Sequence, residues 1–254
     1  MEENRFDFTT GEILLVNKPL RWTSFDIVGK IRTCIGGKSI KVGHAGTLDP
    51  LADGLLLICT GKKTKEIDRF QAQEKEYTGI MRFGATRPSF DLETEIDARF
   101  PFEHITKEIL DEKIQTFKGK IWQISPSYSA RRTQGVRAYE KARLGESVEI
   151  APREVEIFDF DLVDYSPPDL QFRIRCSKGT YIRSLVRDLG EALGSGAYLS
   201  QLTRTAIGVY RLEDAWNLSE LCETILKQRN RDSGSITIHL SENHRIKKHL
   251  EDPN

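Results

Sequence analysis

The residues with the most chemical potential lie in one glycine-rich stretch, Gly43-His44-Ala45-Gly46-Thr47-Leu48-Asp49-Pro50. It sets a histidine and an aspartate in a loop of turn-forming residues. A phosphate cradle is the first chemistry such a loop suggests, but the sequence lacks the rest of one. The Gly61-Lys62 pair would need a glycine where Leu56 stands and a hydroxyl residue where Lys63 stands. The dinucleotide-binding spacing of glycines is also absent. Taken alone, Asp49 before Pro50 reads as a turn residue, and His44 as a structural or solvated histidine. The cysteines Cys34, Cys59, Cys176 and Cys222 form no C-x-x-C pair, and no H-E-x-x-H or Cys/His cluster occurs. No metal is therefore expected, and a reducing, cytoplasmic compartment is.

Charge adds a second clue. The 254 residues carry 38 basic and 38 acidic side chains, for a net charge of zero. The total hides segregation. Residues 30–65 hold seven basic against two acidic side chains, residues 117–153 eight against three, and residues 171–211 seven against two. Converging on one face, these segments would make a groove for a polyanion, with an acidic back. Tyr128, Tyr139 and Tyr181 lie among the basic residues. Rings of that kind favour RNA, whose bases stack on them. Charge runs alone are more often solvated surface. The longest apolar run, Leu55 to Cys59, is too short to span a bilayer, so no membrane partner is expected.

The elements around the loop follow from periodicity. Ile13-Leu14-Leu15-Val16 reads as a buried strand. Thr23 or Ser24 then caps a helix with Ile27, Val28, Ile31 and Ile35 at helical spacing, ended by Gly36-Gly37. Leu55 to Cys59 is a buried strand. Residues 75–84 alternate, with Tyr77, Gly79, Met81 and Phe83 on one side. Thr106 opens a helix with the apolar residues Ile109, Leu110, Ile114 and Phe117, and a strand follows over 121–124. Residues 153–165 and the alternating Leu170, Phe172, Ile174, Cys176 form an antiparallel hairpin around Pro167-Pro168. Tyr181 to Leu193 is a helix. Strands outnumber helices without a regular βαβ rhythm, so the class is α+β with a largely antiparallel or mixed sheet. Leu218, Leu221, Ile225 and Leu226 make a short amphipathic helix, followed by a polar tail.

The stretch Gly43 to Leu56 resembles the signature of the TruB family of pseudouridine synthases. Other motifs agree in order and spacing: Asn17-Lys18-Pro19 with Thr23-Ser24; Lys75-Glu76-Tyr77; Tyr128-Ser129-Ala130 with Gly135 and Tyr139; Cys176 to Arg183; and Gly196-Ala197-Tyr198-Leu199 with Leu202 and Arg204. The similarity covers about residues 11–216. It implies the pseudouridine synthase fold, a central mixed and mainly antiparallel sheet with flanking helices and a cleft across it. It also implies conversion of uridine to pseudouridine at position 55 of the tRNA T loop, with no metal or cofactor.

That reaction breaks the bond from N1 to the sugar, turns the base and rejoins it through C5. A carboxylate can act as nucleophile or as charge stabiliser at the sugar. The resemblance places the catalytic aspartate at Asp49. It implies that Tyr77 stacks on the flipped base and that Arg183 pairs with Asp49. His44 would help hold the RNA in its flipped form, and Leu202 would line the base pocket. Tyr181, Asp91 and Arg204 join the substrate-binding set, Asp91 as an RNA contact or a loop-ordering residue. Lys18 and Pro19 would be structural, beneath the site. Asp53 is read as loop structure or a surface charge.

The catalytic domain is expected over 1–216. Residues 217–254 are too few for the RNA-binding PUA domain that many members append. A monomer suffices for a single-site cleft. Two other readings stand beside the enzyme: a non-catalytic RNA-binding or RNA-folding factor on the same scaffold, and a guide-dependent rRNA-modifying relative.

Overall fold

A computed structural model describes residues 5–36, 39–126, 132–133, 136–137 and 151–232. The motif Tyr128-Ser129-Ala130, Gly135, Tyr139 and the polar tail lie outside the described residues.

Strand β1 (Ile13–Lys18) leads into helix α1 (Ser24–Ile35). Thr23 is the N-cap: its side chain accepts from the Asp26 amide, and Asp26 accepts in return from the Thr23 amide. Gly36, at φ +77°, closes the helix in the left-handed region. β2 (Val42–His44) and β3 (Asp53–Thr60) flank the glycine-rich loop and pair antiparallel. A 3-10 turn (Gly61–Glu66) and α2 (Ile67–Gln71) precede β4 (Lys75–Phe83).

Short strands β5 (Ala85–Thr86) and β6 (Ala98–Arg99) pair with each other, and α3 (Lys107–Gln115) and β7 (Gly119–Gln123) follow. β8 (Arg132–Thr133) pairs with β9 (Val136–Arg137). The hairpin is β10 (Arg153–Ser166) with β11 (Asp169–Cys176). Then come α4 (Ile182–Ala192), β12 (Ala197–Ile207), β13 (Tyr210–Arg211), β14 (Trp216–Asn217) and α5, helical over 218–232.

The main sheet runs β14-β1-β3-β12-β4-β11-β10-β7, with β2 beside β3 and β13 beside β12. Among the described strands only β1 with β14 and β3 with β12 are parallel, so the sheet is mixed and mainly antiparallel as expected. Family resemblance and fold class agree with this architecture.

The unbroken run Leu55 to Cys59 has a physical reason. Leu56 and Ile58 face a core shared with α1 and α5, while Leu55, Leu57 and Cys59 face Phe70 and Ile207 on the other side. A strand covered on both faces needs no polar alternation. The rest of the sheet has one core, packed under α3 and α4. There Tyr77, Met81 and Phe83 meet Leu185, Val186 and Leu189.

Ile109 points to solvent, because Leu110 and Ile114 alone carry the buried stripe of α3. Two features differ from the sequence reading. The long strand β12 went unpredicted; its interruption by Ser200, Gln201, Thr203 and Arg204 masks the alternation. The basic segment 171–211 does not turn to one face as a block. Directly opposite residues of an antiparallel pair share a face, and Arg175 lies opposite Glu76, on the side away from Tyr77. There Arg173 pairs with Glu76 and Asp161, and Arg175 with Glu74 and Asp159.

No helix among the described residues is long and apolar enough to cross a membrane.

Gly54 sits at φ +102° where β3 meets β12, and a Cβ there would lie 2.4 Å from the Arg204 carbonyl oxygen. Gly54→Ala is expected to cost at least about 2 kcal/mol through strain and overpacking. In thermal melting this is a fall in Tm of about 4 °C or more for a chain of this size.

Candidate active site

The loop between β2 and β3 is held from three directions. Behind it, Arg204 on β12 is fully buried and donates from Nε to the Leu55 carbonyl (2.7 Å) and from Nη2 to the Gly46 carbonyl (3.2 Å). A longer contact reaches the Thr47 carbonyl at 3.4 Å. At its flank, the Ser24 hydroxyl accepts from the Leu48 amide (2.9 Å) and donates to the Leu48 carbonyl (3.1 Å). From the β1 side, the Arg21 amide donates to the Pro50 carbonyl at 2.7 Å. These bonds give the Thr23-Ser24 and Arg204 motifs a physical purpose, since a loop between strands has backbone groups that must be satisfied.

Lys18 completes that support. It is fully buried, and its ammonium donates to the carbonyls of Trp22 (2.7 Å) and Pro19 (3.0 Å). Burial lowers its pKa to about 8, against the pull of Asp53 and Asp49. Lys18 and Pro19 thus sit in the turn beneath the loop. Asp53 accepts from the Thr203 hydroxyl at 2.6 Å, which ties the start of β3 to β12.

Asp49 projects from this fixed loop into a cleft of about 470 Å³. Its side chain is 37% exposed, and Oδ2 lies 2.9 Å from Nη2 of Arg183, whose own side chain is 4% exposed. Arg183 belongs to the first turn of α4, where Ile182, Leu185, Val186 and Leu189 bury one stripe and carry the arginine inward. Its Nη1 donates to the Ser89 carbonyl (3.1 Å) and faces Asp91 Oδ2 at 3.5 Å. Burial works against the guanidinium charge, but Asp49 and Asp91 outweigh it and raise its pKa. Asp91 is itself buried behind Arg183, and burial pushes its carboxyl pKa up despite the arginine. Its Oδ1 also accepts from the Glu93 amide at 2.9 Å. This geometry supports the loop-ordering alternative for Asp91 over an RNA contact.

Tyr77 and Leu202 line the same cleft. Tyr77 is buried, which raises its phenol pKa and keeps the hydroxyl protonated, with the Arg204 guanidinium alongside. Leu202 lies across from Gly79, and Arg204 across from Tyr77, in the β12–β4 register. Tyr181 stands at the N-terminus of α4. Its backbone amide and carbonyl are both held by the side chain of Gln123, at 2.8 and 3.1 Å, and the Arg153 guanidinium lies 5.0 Å from its ring. His44 lies at the loop's entry, edge-on to Phe25 at 5.2 Å between ring centroids. Burial, then Arg204, lowers its pKa, so the ring is neutral at pH 7.

The expected site residues therefore fall in three settings. Asp49, Tyr77, Arg183, Leu202, Tyr181 and Arg204 line the cleft; Lys18, Pro19 and Asp91 lie behind or beneath it; His44 is not part of the lining and stands at the loop's entry against Phe25. Lys75, Gln123 and Arg153 were not assigned roles from sequence. Lys75 is two residues from Tyr77 on a strand, hence on the same face; it lines the cleft, and its ammonium donates to the carbonyls of Gln71 and Gln73, both at 2.6 Å. That spacing was the available signal. Gln123 carries none, since only the tertiary fold brings it 58 positions along the chain to Tyr181.

A sequence model of the N-terminal domain of TruB family pseudouridylate synthases matches residues 32–182, and one of the tRNA pseudouridylate synthase B C-terminal domain matches residues 183–250. The two meet inside the first turn of α4, within one continuous fold. The chain is 52% identical over 226 residues to tRNA pseudouridine synthase B of Phocaeicola vulgatus, covering 87% of this chain and 96% of that one. It is 44% identical over 230 residues to the protein of the same name from Chloroherpeton thalassium, covering 89% and 95%. Among solved structures, a chain of a Cbf5-Nop10-Gar1 complex superposes with a TM-score of 0.66 at 25% identity, covering 85% of this chain and 54% of that chain.

Removing the guanidinium that bridges two carboxylates leaves the buried Asp91 unpaired. Arg183→Met is expected to cost about 3 kcal/mol in denaturant unfolding, the lower end for a broken buried pair because Asp49 keeps contact with water. Adding Asp91→Asn should return a measurable part of that loss, and additivity of the two changes would contradict the coupling. A second expectation concerns His44. Its folded pKa lies below the unfolded value, so the unfolded chain binds the proton more readily and stability is lost as pH falls below about 6.5. His44→Gln should flatten the stability difference between pH 7 and pH 5 seen in thermal melts.

Proposed function

Because the chain belongs to the TruB family of pseudouridylate synthases, we propose that this cleft isomerises uridine to pseudouridine at position 55, in the T loop of tRNA. The observation that carries the reading is the Asp49–Arg183 ion pair at 2.9 Å in an open cleft. A carboxylate on a loop braced by Arg204, Ser24 and Lys18 is fixed before substrate arrives, as electrostatic catalysis requires.

The chemistry assigns the roles. The target uridine leaves its stack and enters the cleft. Tyr77 and Leu202 offer it an aromatic ring and an apolar wall. Asp49 acts at the sugar or the base as nucleophile, or stabilises positive charge at the sugar as the bond to N1 breaks. The base turns in place and C5 forms the new bond to the sugar, displacing Asp49 where it had bonded there; the C5 proton then leaves to water or to the freed Asp49 carboxylate, and N1 takes up a proton from water. Arg183 keeps the Asp49 carboxylate oriented through a charge-assisted hydrogen bond, and Asp91 holds Arg183 from behind. The Tyr77 hydroxyl, being protonated, is a donor rather than an acceptor of protons from the base. Arg153, with its guanidinium over Tyr181, offers positive charge to the RNA backbone at the cleft's other end. His44 holds the RNA in its flipped form at the loop's entry.

Residues 1–216 form the catalytic unit in this reading, with α5 a buttress against α1. One chain carries the whole site and works as a monomer in the cytoplasm on the T-arm.

Asp49→Asn is isosteric and should leave folding and RNA binding intact. Pseudouridine mapping of tRNA from cells whose gene is deleted, then restored as wild type or Asp49→Asn, is expected to show the modification at position 55 only with the wild type. Modification by the variant would remove Asp49 from the chemistry, while its absence in both strains would remove position 55 as the target.

A further inference from the structure

The turn that braces the Asp49 loop also holds three apolar side chains out in water. Leu20 is 50% exposed, Trp22 37% and Phe25 62%. They fall within six residues of one another, and the backbone that carries them is unusually fixed. Arg21 adopts φ +67°, a left-handed conformation costly for a residue with a side chain. Its amide bonds to the Pro50 carbonyl, and the buried Lys18 ammonium bonds to the carbonyls on both sides of it, at Pro19 and Trp22. Phe25 is in the first turn of α1, beside Ser24, which clasps Leu48, and its ring meets His44 edge-on. The shelf is therefore continuous with the loop that carries Asp49.

Its chemistry is that of a stacking surface. Two of the three side chains are aromatic, and the exposed Arg21 stands between Leu20 and Trp22 with a charge suited to a phosphate. The one acid in this stretch, Asp26, is committed to the capping box with Thr23. A flipped uridine also leaves its neighbours with an unstacked face, and the unstacking cost must be recovered somewhere. An exposed ring next to the cleft recovers it without reading sequence, because every base has a face to stack.

We propose that Trp22 and Phe25 form a base-stacking shelf for an unpaired nucleotide of the RNA adjoining the flipped uridine, with Arg21 on its phosphate. The inference rests on the proposed reaction, since it needs the RNA strand in the cleft.

Binding is measured with two RNAs, a T-arm hairpin and a blunt duplex of its stem sequence, in an Asp49→Asn background that leaves the RNA unreacted. Phe25→Ala and Trp22→Ala should each weaken hairpin binding about tenfold, the effect of one lost base–aromatic stack, while duplex binding changes less than about twofold. Phe25→Tyr should restore hairpin affinity, and Phe25→Leu, with bulk but no ring, should not. In the otherwise wild-type enzyme the loss should appear mainly in KM for the hairpin. Phe25 is exposed, so the variants fold, and their melting temperatures verify it. Hairpin binding within about twofold of the parent for both alanine variants would overturn the shelf. So would rescue by Phe25→Leu, which would mark a plain apolar contact of the kind a protein partner makes. A wild type that isomerises the hairpin alongside unaffected alanine variants overturns the shelf alone. A wild type that neither binds nor isomerises it overturns the functional reading and the shelf together.

Discussion

A guanidinium without water around it must find anions, and Arg183 finds two. Its charge cannot be shed, because arginine stays protonated in any protein environment. Burial of its side chain therefore forces Asp49 and Asp91 to converge on it. The constraint acts in both directions. Asp91 is locked behind α4 and the Ser89 loop, while Asp49 is drawn to one edge of the cleft but left partly in water. A carboxylate in that position is oriented yet still reachable by a substrate. The same ion pair couples α4 to the β2–β3 loop, two elements separated by more than half the chain.

Arg204 does a different task with the same functional group. It has backbone carbonyls for partners, at Gly46, Thr47 and Leu55, and so serves as a strut under the loop even though it lines the cleft. Its planar fork of donors suits several carbonyls at once, which an ammonium could not span in one plane. Lys18 takes the complementary place, where a compact charge can turn to two carbonyls of one tight turn. Together these buried cations satisfy the backbone of a loop whose Ala45, Leu48 and Ala52 are packed into the core. The same bonds order the neighbouring turn, from which Trp22 and Phe25 are exposed.

The sheet gives this arrangement its two characters. On the face toward α4, Lys75, Tyr77, Leu202 and Arg204 converge from β4 and β12. On the opposite face, Arg173 and Arg175 meet Glu76, Glu74, Asp159 and Asp161 in exposed pairs. Such pairs are screened and contribute little to stability, but they neutralise that face. Part of the basic surplus counted along the sequence is thereby spent away from the cleft. Period-two alternation separates the two uses: Glu76 and Tyr77 are neighbours in sequence and point to opposite sides.

Regular periodicity makes several elements legible in the chain: α1 with Thr23 or Ser24 as its cap, the buried β3, the β10–β11 hairpin and α4. The resemblance of its contiguous motifs points to Asp49, Tyr77 and Arg183, and the fold brings these three to one cleft. Which residues meet across the chain is set by the fold. β12 gave no clear pattern because its inward positions include Arg204, a charge that looks like surface until its carbonyl partners are in place. Gln123 was invisible for the same reason, its two hydrogen bonds being made with a backbone 58 positions away. The fate of the basic residues was likewise undecided by counting, since strand pairing sends alternate side chains to opposite faces. Local spacing fixes periodicity and caps. The burial of a charge depends on partners that no local pattern contains.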